Sequence, residues 1–359
     1  ENAEREIKKA EKLSDKINEK EVEIRGLKRE INEKLMRLPN ILHSSVPKGS
    51  DDKDNLELYR IGKAEVPSFD LLPHGEIIEN LGLADFERAS KVSGYGFFYL
   101  KNDLVLLDMA IVTYAVQELM KKGYDLIEPP FMMKREPYEG TVDLSDFEDV
   151  MYKVEGEDLY LIATSEHPIA AMHKDEILDE GELPKKYVGV SPCFRREVGA
   201  HGIDTKGLFR VHQFNKVEQF IFSKPEESWN YHEELLQNAE ELMKGLEIPF
   251  RVVNVCTGDI GTVAAKKYDV EAWSPRQRKF TEVISCSNCT DYQARRLNIR
   301  MGKVGVKEKQ IVHTLNSTAL ATSRTMVAIL ENNQLEDGSV KVPKVLRKYM
   351  NGKEILKPS

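Results

Sequence analysis

The segment 186–222 constrains the fold of this chain more strongly than any other part of its sequence. Two runs rich in β-forming residues, 186–198 and 208–222, are separated by a short polar loop that contains glycine. This arrangement predicts a long antiparallel hairpin. Because side chains alternate between the faces of a strand, Arg195 and Glu197 should share one face. A hairpin of this length is stable only as part of a wider sheet.

The second run of this hairpin collects charged and aromatic side chains on one face. Such a face is a poor core surface, because buried charges need partners. It suits a nucleotide, since an arginine can bind phosphate oxygens with two donors and an aromatic ring can stack on a base. The residues alone leave open a solvated outer face of a sheet. The side chains that share this orientation are Arg210, His212, Phe214, Lys216 and Glu218.

Helical and strand-like patterns alternate from about residue 76 to residue 350. Long strands joined by short hairpins, with helices outside them, predict an α+β domain in which helices flank an antiparallel sheet. Besides the hairpin, the run 279–287 has a strand pattern. The helical patterns cover 103–122, 165–180, 225–245 and 317–333.

The first 38 residues are densely charged and lack proline. Apolar residues recur there every seven positions, at Ala3, Ala10, Ile17, Ile24, Ile31 and Leu38. This narrow seam predicts one helix of a coiled coil, about 57 Å long if unbroken. A single solvated helix is marginal, so a partner helix is expected upstream or on another molecule. A free charged helix is the alternative. Pro39 should end the helix. Residues 39–90 are predicted to form a connector, of which 39–75, with several prolines and glycines among polar residues, should be irregular.

Composition narrows the class of protein. The 359 residues carry a net charge of −8, which argues against indiscriminate nucleic-acid binding. No apolar run approaches the roughly 20 residues needed to cross a bilayer, so no membrane partner is expected and the protein should be soluble and cytoplasmic. Cys286 and Cys289 have the spacing of a metal or redox pair. Without a second such pair, reduced cysteines are favoured and no zinc is expected.

Three segments together resemble class II aminoacyl-tRNA synthetases. Phe194-Arg195-Arg196-Glu197, followed by Val211-His-Gln-Phe214 through Glu218, is similar to motif 2 in its seryl-tRNA synthetase form. Residues of about 103–130 resemble motif 1, and 311–333 resemble motif 3. The segment 282–296 looks like the metal and ATP segment of the serine branch. The resemblance covers essentially the whole chain and implies a catalytic domain over 91–359.

The resemblance implies a function. The enzyme would join L-serine and ATP to seryl-adenylate and pyrophosphate, then transfer serine to tRNA(Ser); charging of tRNA(Sec) stays open. Residues 1–38 would be the second helix of a tRNA-binding arm whose first helix is absent from the chain. Ser317 and Ser323 stand where many bacterial members of the family have glycine. Archaeal and eukaryotic members also use small residues other than glycine there, so the resemblance implies a difference of lineage rather than a loss of activity. Motif 1 would form a homodimer, to which we assign the apolar face Leu104, Leu107, Ile111, Tyr114 and Leu119.

The resemblance also implies roles for single residues in ATP binding and catalysis. Arg195, Glu282 and Arg324 would be the catalytic residues, with Arg195 between the serine carboxylate and the α-phosphate. Glu282 and Ser285 would hold Mg²⁺. Strict strand alternation puts these two on opposite faces, so a local irregularity is required between them. The implied ATP-binding set is Arg195, Arg196, Glu197, Arg210, Val211, Phe214, Glu282, Val283, Ile284, Ser285 and Arg324.

Within these sets, Glu197 would bind the adenine amino group, and Phe214 and Arg324 would stack on opposite faces of adenine. Arg324 and Arg210 would reach the γ-phosphate. Glu218 would bind the serine α-ammonium. The implied serine-binding set is Thr164, Ser165, Glu166, Arg195, Glu218, Asn316 and Thr318.

Two other functions would explain the sequence less completely. A relative that loads an amino acid onto a carrier protein would lack the coiled-coil segment. A non-catalytic relative would have no reason to keep the charged residues of all three motifs. Those residues are Arg195, Glu197, Glu218, Glu282 and Arg324.

Overall fold

The computed structural model describes residues 2–143, 150–197, 207–303 and 306–358. The chain divides into two compact units, residues 1–39 and 40–359. The first unit contains helix α1 (Asn2–Leu35), whose apolar seam residues Ile17, Ile24 and Ile31 are about half exposed. Ion pairs three or four residues apart, such as Lys34 with Glu30, support the helix by a few tenths of a kcal/mol each.

The second unit is built around an eight-stranded sheet in the order β1-β10-β11-β12-β15-β9-β8-β4. Neighbouring strands are antiparallel except β4 and β8. The predicted α+β class is therefore confirmed. The strands are β1 Leu56–Ile61, β2 Ala84–Asp85, β3 Tyr99–Leu100, β4 Asp125–Ile127, β5 Met132–Met133, β6 Tyr160–Leu161, β7 Ile177–Asp179, β8 Lys185–Phe194, β9 Gln213–Ser223, β10 Phe250–Asn254, β11 Lys266–Ser274, β12 Lys279–Thr290, β13 Arg300–Gly302, β14 Gln310–Ile311, β15 His313–Ala321, β16 Val340–Lys341 and β17 Ile355–Leu356.

Helices pack on this sheet and leave part of one face open. Leu107 of α4, Leu235 of α7 and Ile329 of α9 share one apolar core with Val217 and Leu315 of the central strands. The opposite side of these strands carries the polar residues described below. The helices after α1 are α2 His74–Asn80, α3 Phe86–Ser93, α4 Asp103–Lys121, α5 Arg135–Glu139, α6 Glu166–Ala171, α7 Ser228–Gly245, α8 Tyr292–Arg296, α9 Thr322–Asn332 and α10 Lys344–Arg347, with 3₁₀ turns at Asp52–Asp54, Glu180–Glu182 and Pro225–Glu227.

The predicted hairpin is present as β8 and β9, with Cys193 opposite Phe214 and Gly189 opposite Glu218. Its second strand begins at Gln213 rather than at 208, and residues 198–206 of its loop lie outside the described part of the chain.

Two predicted helices are shorter than their sequence patterns. The pattern over 165–180 ends as a helix at Ala171, and residues 177–179 form β7, which pairs with β13. In the pattern over 317–333, the first five residues complete β15 and the helix begins at Thr322. Pairing with β9 and β12 overrides the helical pattern there, because tertiary partners decide between short alternatives.

The segment 39–75 is not the irregular connector that its proline and glycine content predicts. It supplies β1, which pairs with β10 at one edge of the sheet, and the first residues of α2. The rest of α2, β2 and α3 lie after residue 75, where regular patterns were predicted. Asn40 also anchors its start: its side-chain amide donates to the carbonyls of Val263 and Cys289 at 2.9 and 2.8 Å. This segment therefore belongs to the compact second unit.

The apolar face of α4 that we assigned to a dimer contact lies inside the subunit. All five of its residues are buried in the main core, so they cannot contact a second subunit. The exposed apolar side chains of α4 and its surroundings include Val105, Met109, Met120, Leu126 and Met132.

Among the described residues, no helix combines the length and the apolar character that crossing a membrane requires.

Candidate active site

A cavity of about 480 Å³ opens on the polar face of the central strands. Strands β8, β9, β12 and β15 form one wall of the cavity. On each strand, every second side chain faces the same side of the sheet. The cavity brings together most of the residues that the sequence predicted, although they come from segments more than 150 positions apart. These are Thr164, Glu166, Arg195, Glu197, Val211, Phe214, Glu218, Glu282, Val283, Ser285, Asn316, Thr318 and Arg324.

Arg195 lies at the end of β8, directly over an aromatic ring of the neighbouring strand. Its guanidinium carbon is 5.3 Å from the centre of the Phe214 ring, and its backbone N–H donates to the His212 carbonyl at 3.0 Å. Glu197 follows with φ of 46°, a left-handed conformation that is uncommon for a residue with a side chain. An arginine on a ring beside a carboxylate forms a suitable surface for a phosphate and a base.

The required irregularity between Glu282 and Ser285 is present as a β-bulge. Val270 of β11 lies opposite Ile284, but the next residue, Glu271, lies opposite Glu282, so Val283 is inserted. The extra residue reverses the alternation. As a result, the side chains of Glu282 and Ser285 both face the cavity.

Arg324, in the first turn of α9, closes this end of the cavity. Its Nη1 donates to the Glu282 carbonyl at 2.9 Å and lies 3.4 Å from the Glu282 carboxylate. Its guanidinium carbon is 5.1 Å from the centre of the Phe209 ring. Arg195 and Arg324 thus each lie against a phenylalanine, which leaves flat, cationic surfaces for a planar, anionic ligand.

The oxygen atoms around the bulge fit Mg²⁺. Glu282 and Ser285 offer hard oxygen donors, the type that Mg²⁺ prefers, and Mg²⁺ commonly keeps several waters when few protein ligands are present. Asp269 faces Ser285 across the strand pair. Burial, and next the Glu282 carboxylate, raise the pKa of Asp269 to about 7. Within the described residues, no cluster of three or more His, Cys, Asp or Glu side chains could hold a metal.

The other end of the cavity contains two carboxylates, of which Glu218 is buried and Glu166 is partly exposed. Glu218 pairs with Lys216 at 2.5 Å and accepts a hydrogen bond from the Thr318 hydroxyl at 3.3 Å. Glu166 accepts from the amides of Gln293 and Asn316 at 2.8 and 3.1 Å. These carboxylates, hydroxyl and amides could bind a small ligand that has an ammonium and a hydroxyl group.

Glu166 titrates in the physiological range. Burial is the main cause that raises its pKa to about 7, followed by the nearby charge of Glu218, while Lys216 and the amide of Gln293 act in the opposite direction. A group whose pKa is raised on folding destabilises the folded state increasingly as the pH rises from its unfolded pKa to its folded pKa. For Glu166 this interval runs from 4.5 to about 7.

Glu166→Gln should therefore stabilise the protein more at pH 8 than at pH 5. Glutamine keeps an oxygen that can accept from Gln293 and Asn316, but it cannot become a buried anion. Because Glu166 keeps part of its surface open to the cavity, we expect the gain to be about 1–2 kcal/mol larger at pH 8. Urea unfolding of both proteins at the two pH values measures it. Equal stability differences at both would contradict the raised pKa.

Four predicted site residues do not line the cavity. Arg196 is exposed, and the Arg210 side chain is 55% exposed, 3.8 Å from Glu197. Strand alternation places Ile284 in the main core, so only its backbone is available to a ligand. Ser165 is fully buried.

Other cavity residues were missed at the sequence level. Lys216 was predicted to share a strand face with Phe214 and Glu218, but it was given no role in the site. Ser287 and Cys289 continue the parity of Ser285 along β12. Phe209 precedes strand β9, and the loop 260–264 comes from a distant part of the sequence. Neither has a local sequence pattern that would predict its place at the cavity. The loop residues on the cavity are Ile260, Gly261, Thr262, Val263 and Ala264.

The CxxC pair does not form a joint site. Both thiols are free and buried, but Cys289 faces the cavity while Cys286 belongs to the main core on the other side of the sheet. Burial raises the pKa of both thiols. Side chains on opposite faces of a strand cannot bind one metal ion together.

Similarity to known proteins identifies the family of this chain. Residues 150–333 match the tRNA synthetase class II core domain (G, H, P, S and T). The serine–tRNA ligase of Methanospirillum hungatei is 60% identical over 351 residues, which are 98% of this chain and 83% of that protein.

Two solved structures share the fold over nearly the whole chain. The crystal structure of seryl-tRNA synthetase from Pyrococcus horikoshii complexed with ATP superposes with a TM-score of 0.93 at 53% identity, covering 98% of this chain and 83% of that one. The cytoplasmic serine–tRNA ligase of Naegleria fowleri in complex with AMP gives 0.88 at 43% identity, covering 94% and 81%. With this identity, coverage and arrangement of motifs, the chain belongs to the serine–tRNA ligase family of class II synthetases.

Proposed function

We propose that this chain activates L-serine with ATP to seryl-adenylate and pyrophosphate, and then transfers the seryl group to the 3′ end of tRNA(Ser). The observation that carries the proposal is the division of one cavity into two chemical ends. The ion pair of Arg324 with Glu282 lies at one end, and the carboxylates of Glu166 and Glu218 lie at the other. Arg195 lies close enough to both carboxylates to favour their anionic forms. ATP is polyanionic and aromatic, whereas serine presents an ammonium and a hydroxyl group.

Adenylate formation needs no general base, because the serine carboxylate is already ionised at neutral pH and is itself the nucleophile. Its oxygen attacks the α-phosphorus of ATP, and pyrophosphate leaves. The protein has to align these groups and offset their negative charge. Arg195 is the proposed bridge between carboxylate and α-phosphate, because its forked donors can contact both.

At the nucleotide end, Glu197 and the backbone of Val211 would bind the adenine edge, and Phe214 and Arg324 would stack on its faces. The ion pair between Arg324 and Glu282 has to open for this, since both groups would then have ligands of their own. Glu282 and Ser285 would hold Mg²⁺, which would neutralise phosphate charge.

At the amino-acid end, Glu218 would bind the α-ammonium group, and Thr164, Glu166, Asn316 and Thr318 would contact the remainder of serine. A pocket that hydrogen-bonds a hydroxyl group discriminates against alanine, because the missing oxygen leaves buried polar groups unpaired. Threonine would be excluded by its additional methyl group.

Amino-acid-dependent ATP–pyrophosphate exchange tests this function directly. We expect exchange with L-serine, and at least about 100-fold lower kcat/KM with alanine or threonine. Exchange that responds to a different amino acid and not to serine would contradict the substrate assignment. Aminoacylation of tRNA(Ser) transcripts then tests the second step.

A homodimer is part of this proposal. Val105, Met109, Leu126 and Met132 expose apolar side chains around the motif 1 segment, and covering them would remove this surface from water. Sedimentation equilibrium should give twice the mass of one chain. Met109→Glu should lower that mass, because it would bury a charge in the interface. A mass equal to one chain for the wild type would refute the dimer.

A further inference from the structure

Lys216 is a buried cation to which the proposed function gives no role. Its side chain is 6% exposed, and that of its partner Glu218 is 2% exposed. Taking two charges out of water is costly, and a buried pair of this kind is often no more stable than apolar residues of the same size. The pair therefore points to a function in the cavity rather than to stability alone.

The position of Lys216 along β9 is informative. Phe214, Lys216 and Glu218 face the same cavity, and each step of two residues along a strand covers about 7 Å. Arg195 lies over Phe214. Lys216 thus lies between the arginine proposed for the α-phosphate and the carboxylate proposed for the α-ammonium.

The geometry of an α-amino acid then places its carboxylate beside Lys216. The ammonium and carboxylate groups of serine are attached to the same carbon. If the ammonium binds Glu218 and the carboxylate points towards Arg195, the carboxylate crosses the part of the cavity above Lys216. Two anions, the carboxylate and the α-phosphate, meet there.

We propose that Lys216 is a catalytic residue that exchanges partners during serine activation. In the free site its ammonium group neutralises Glu218. When the α-ammonium of L-serine binds Glu218, Lys216 turns to the serine carboxylate and the α-phosphate and acts as a second cation beside Arg195. This inference rests on the function proposed above.

The chemical step leaves Lys216 unchanged. A bond forms between a serine carboxylate oxygen and the α-phosphorus. The bond from the α-phosphorus to the bridging oxygen breaks, and its electron pair leaves with pyrophosphate. Lys216 stays protonated and forms no covalent bond, so its contribution is electrostatic: it offsets the charge that accumulates between the reacting groups.

Lys216→Met tests the exchange, because methionine is similar in length and uncharged. We expect kcat for serine-dependent pyrophosphate exchange to fall about 100-fold, the usual effect of removing one such donor. L-serinamide, which has the ammonium and hydroxyl groups but no carboxylate, separates this role from a structural one. Its Kd by calorimetry should be equal or lower in the variant, since no internal cation competes for Glu218.

Any one of three results would overturn the proposal. A kcat within threefold of the wild type would show that the charge is not used. A serinamide Kd raised more than tenfold would show that Lys216 only holds Glu218 in place. If the methionine variant does not fold, Lys216→Arg is the deciding variant. It keeps a cation at this position, so its kcat should stay within about tenfold of the wild type, and a 100-fold loss would refute the partner exchange of Lys216.

A different result would refute the proposed function itself, namely wild-type protein that shows no serine-dependent pyrophosphate exchange. The serinamide comparison measures binding and does not depend on turnover, so it distinguishes the two failures.

Discussion

Replacing Arg195 with alanine should lower serine-dependent pyrophosphate exchange by at least about 1000-fold, because the variant loses a group that would contact both reacting anions. The site is otherwise preserved. Arg195 contacts the Phe214 ring, and its Nε donates only a long hydrogen bond, 3.4 Å, to the Ala163 carbonyl. The substitution should therefore change activity far more than the free energy of unfolding.

Arg195→Lys should also be poor, with about a 100-fold loss, since a compact ammonium cannot present two parallel donors to two ligands. Arg196→Ala is the matched control: it removes a neighbouring, exposed arginine that does not line the cavity. Its exchange rate should stay within twofold of the wild type. More than a tenth of wild-type activity in Arg195→Ala, or a large loss in Arg196→Ala, would contradict the assignment.

Removing residues 1–39 should lower kcat/KM for tRNA(Ser) by on the order of 100-fold, which corresponds to a loss of about 3 kcal/mol of interaction free energy with the tRNA. The rate of pyrophosphate exchange should stay within twofold of the wild-type rate. We propose α1 as a tRNA-binding element. It is about 51 Å long, and Arg5, Lys8, Lys12 and Lys16 follow one another at spacings of three and four residues along one side. The four buried core clusters of the described chain include no residue of α1, so the catalytic unit should fold without it.

A charge-reversal variant tests whether this basic side of α1 binds phosphates. Lys8, Lys12 and Lys16 changed together to glutamate should raise the tRNA KM at one fixed salt concentration. They should also reduce the slope of log KM against log salt by about 2 to 3, because each lost phosphate contact changes it by roughly 0.7–0.9. The exchange rate serves as the internal control. An unchanged tRNA KM in both variants would exclude α1 as a tRNA-binding element.

The sequence alone determined those parts of the protein that depend on local spacing. Strand alternation predicted that Phe214 and Glu218 share a face, because side chains on a strand have a two-residue period. The irregularity between Glu282 and Ser285 was expected because the shared Mg²⁺ role that the resemblance implies conflicts with this period. The motifs also identified the family. Such features depend only on residues that are close in the sequence, so they can be predicted without knowledge of the fold.

The tertiary structure decided what depends on distant partners. The segment 39–90 joins the sheet because β10 offers an edge, and the apolar face of α4 belongs to the core because the sheet and α9 cover it. The pairing of Lys216 with Glu218 inside the cavity depends on how deeply the surrounding strands bury β9. Burial is set by the whole chain at once, so no window of sequence contains it.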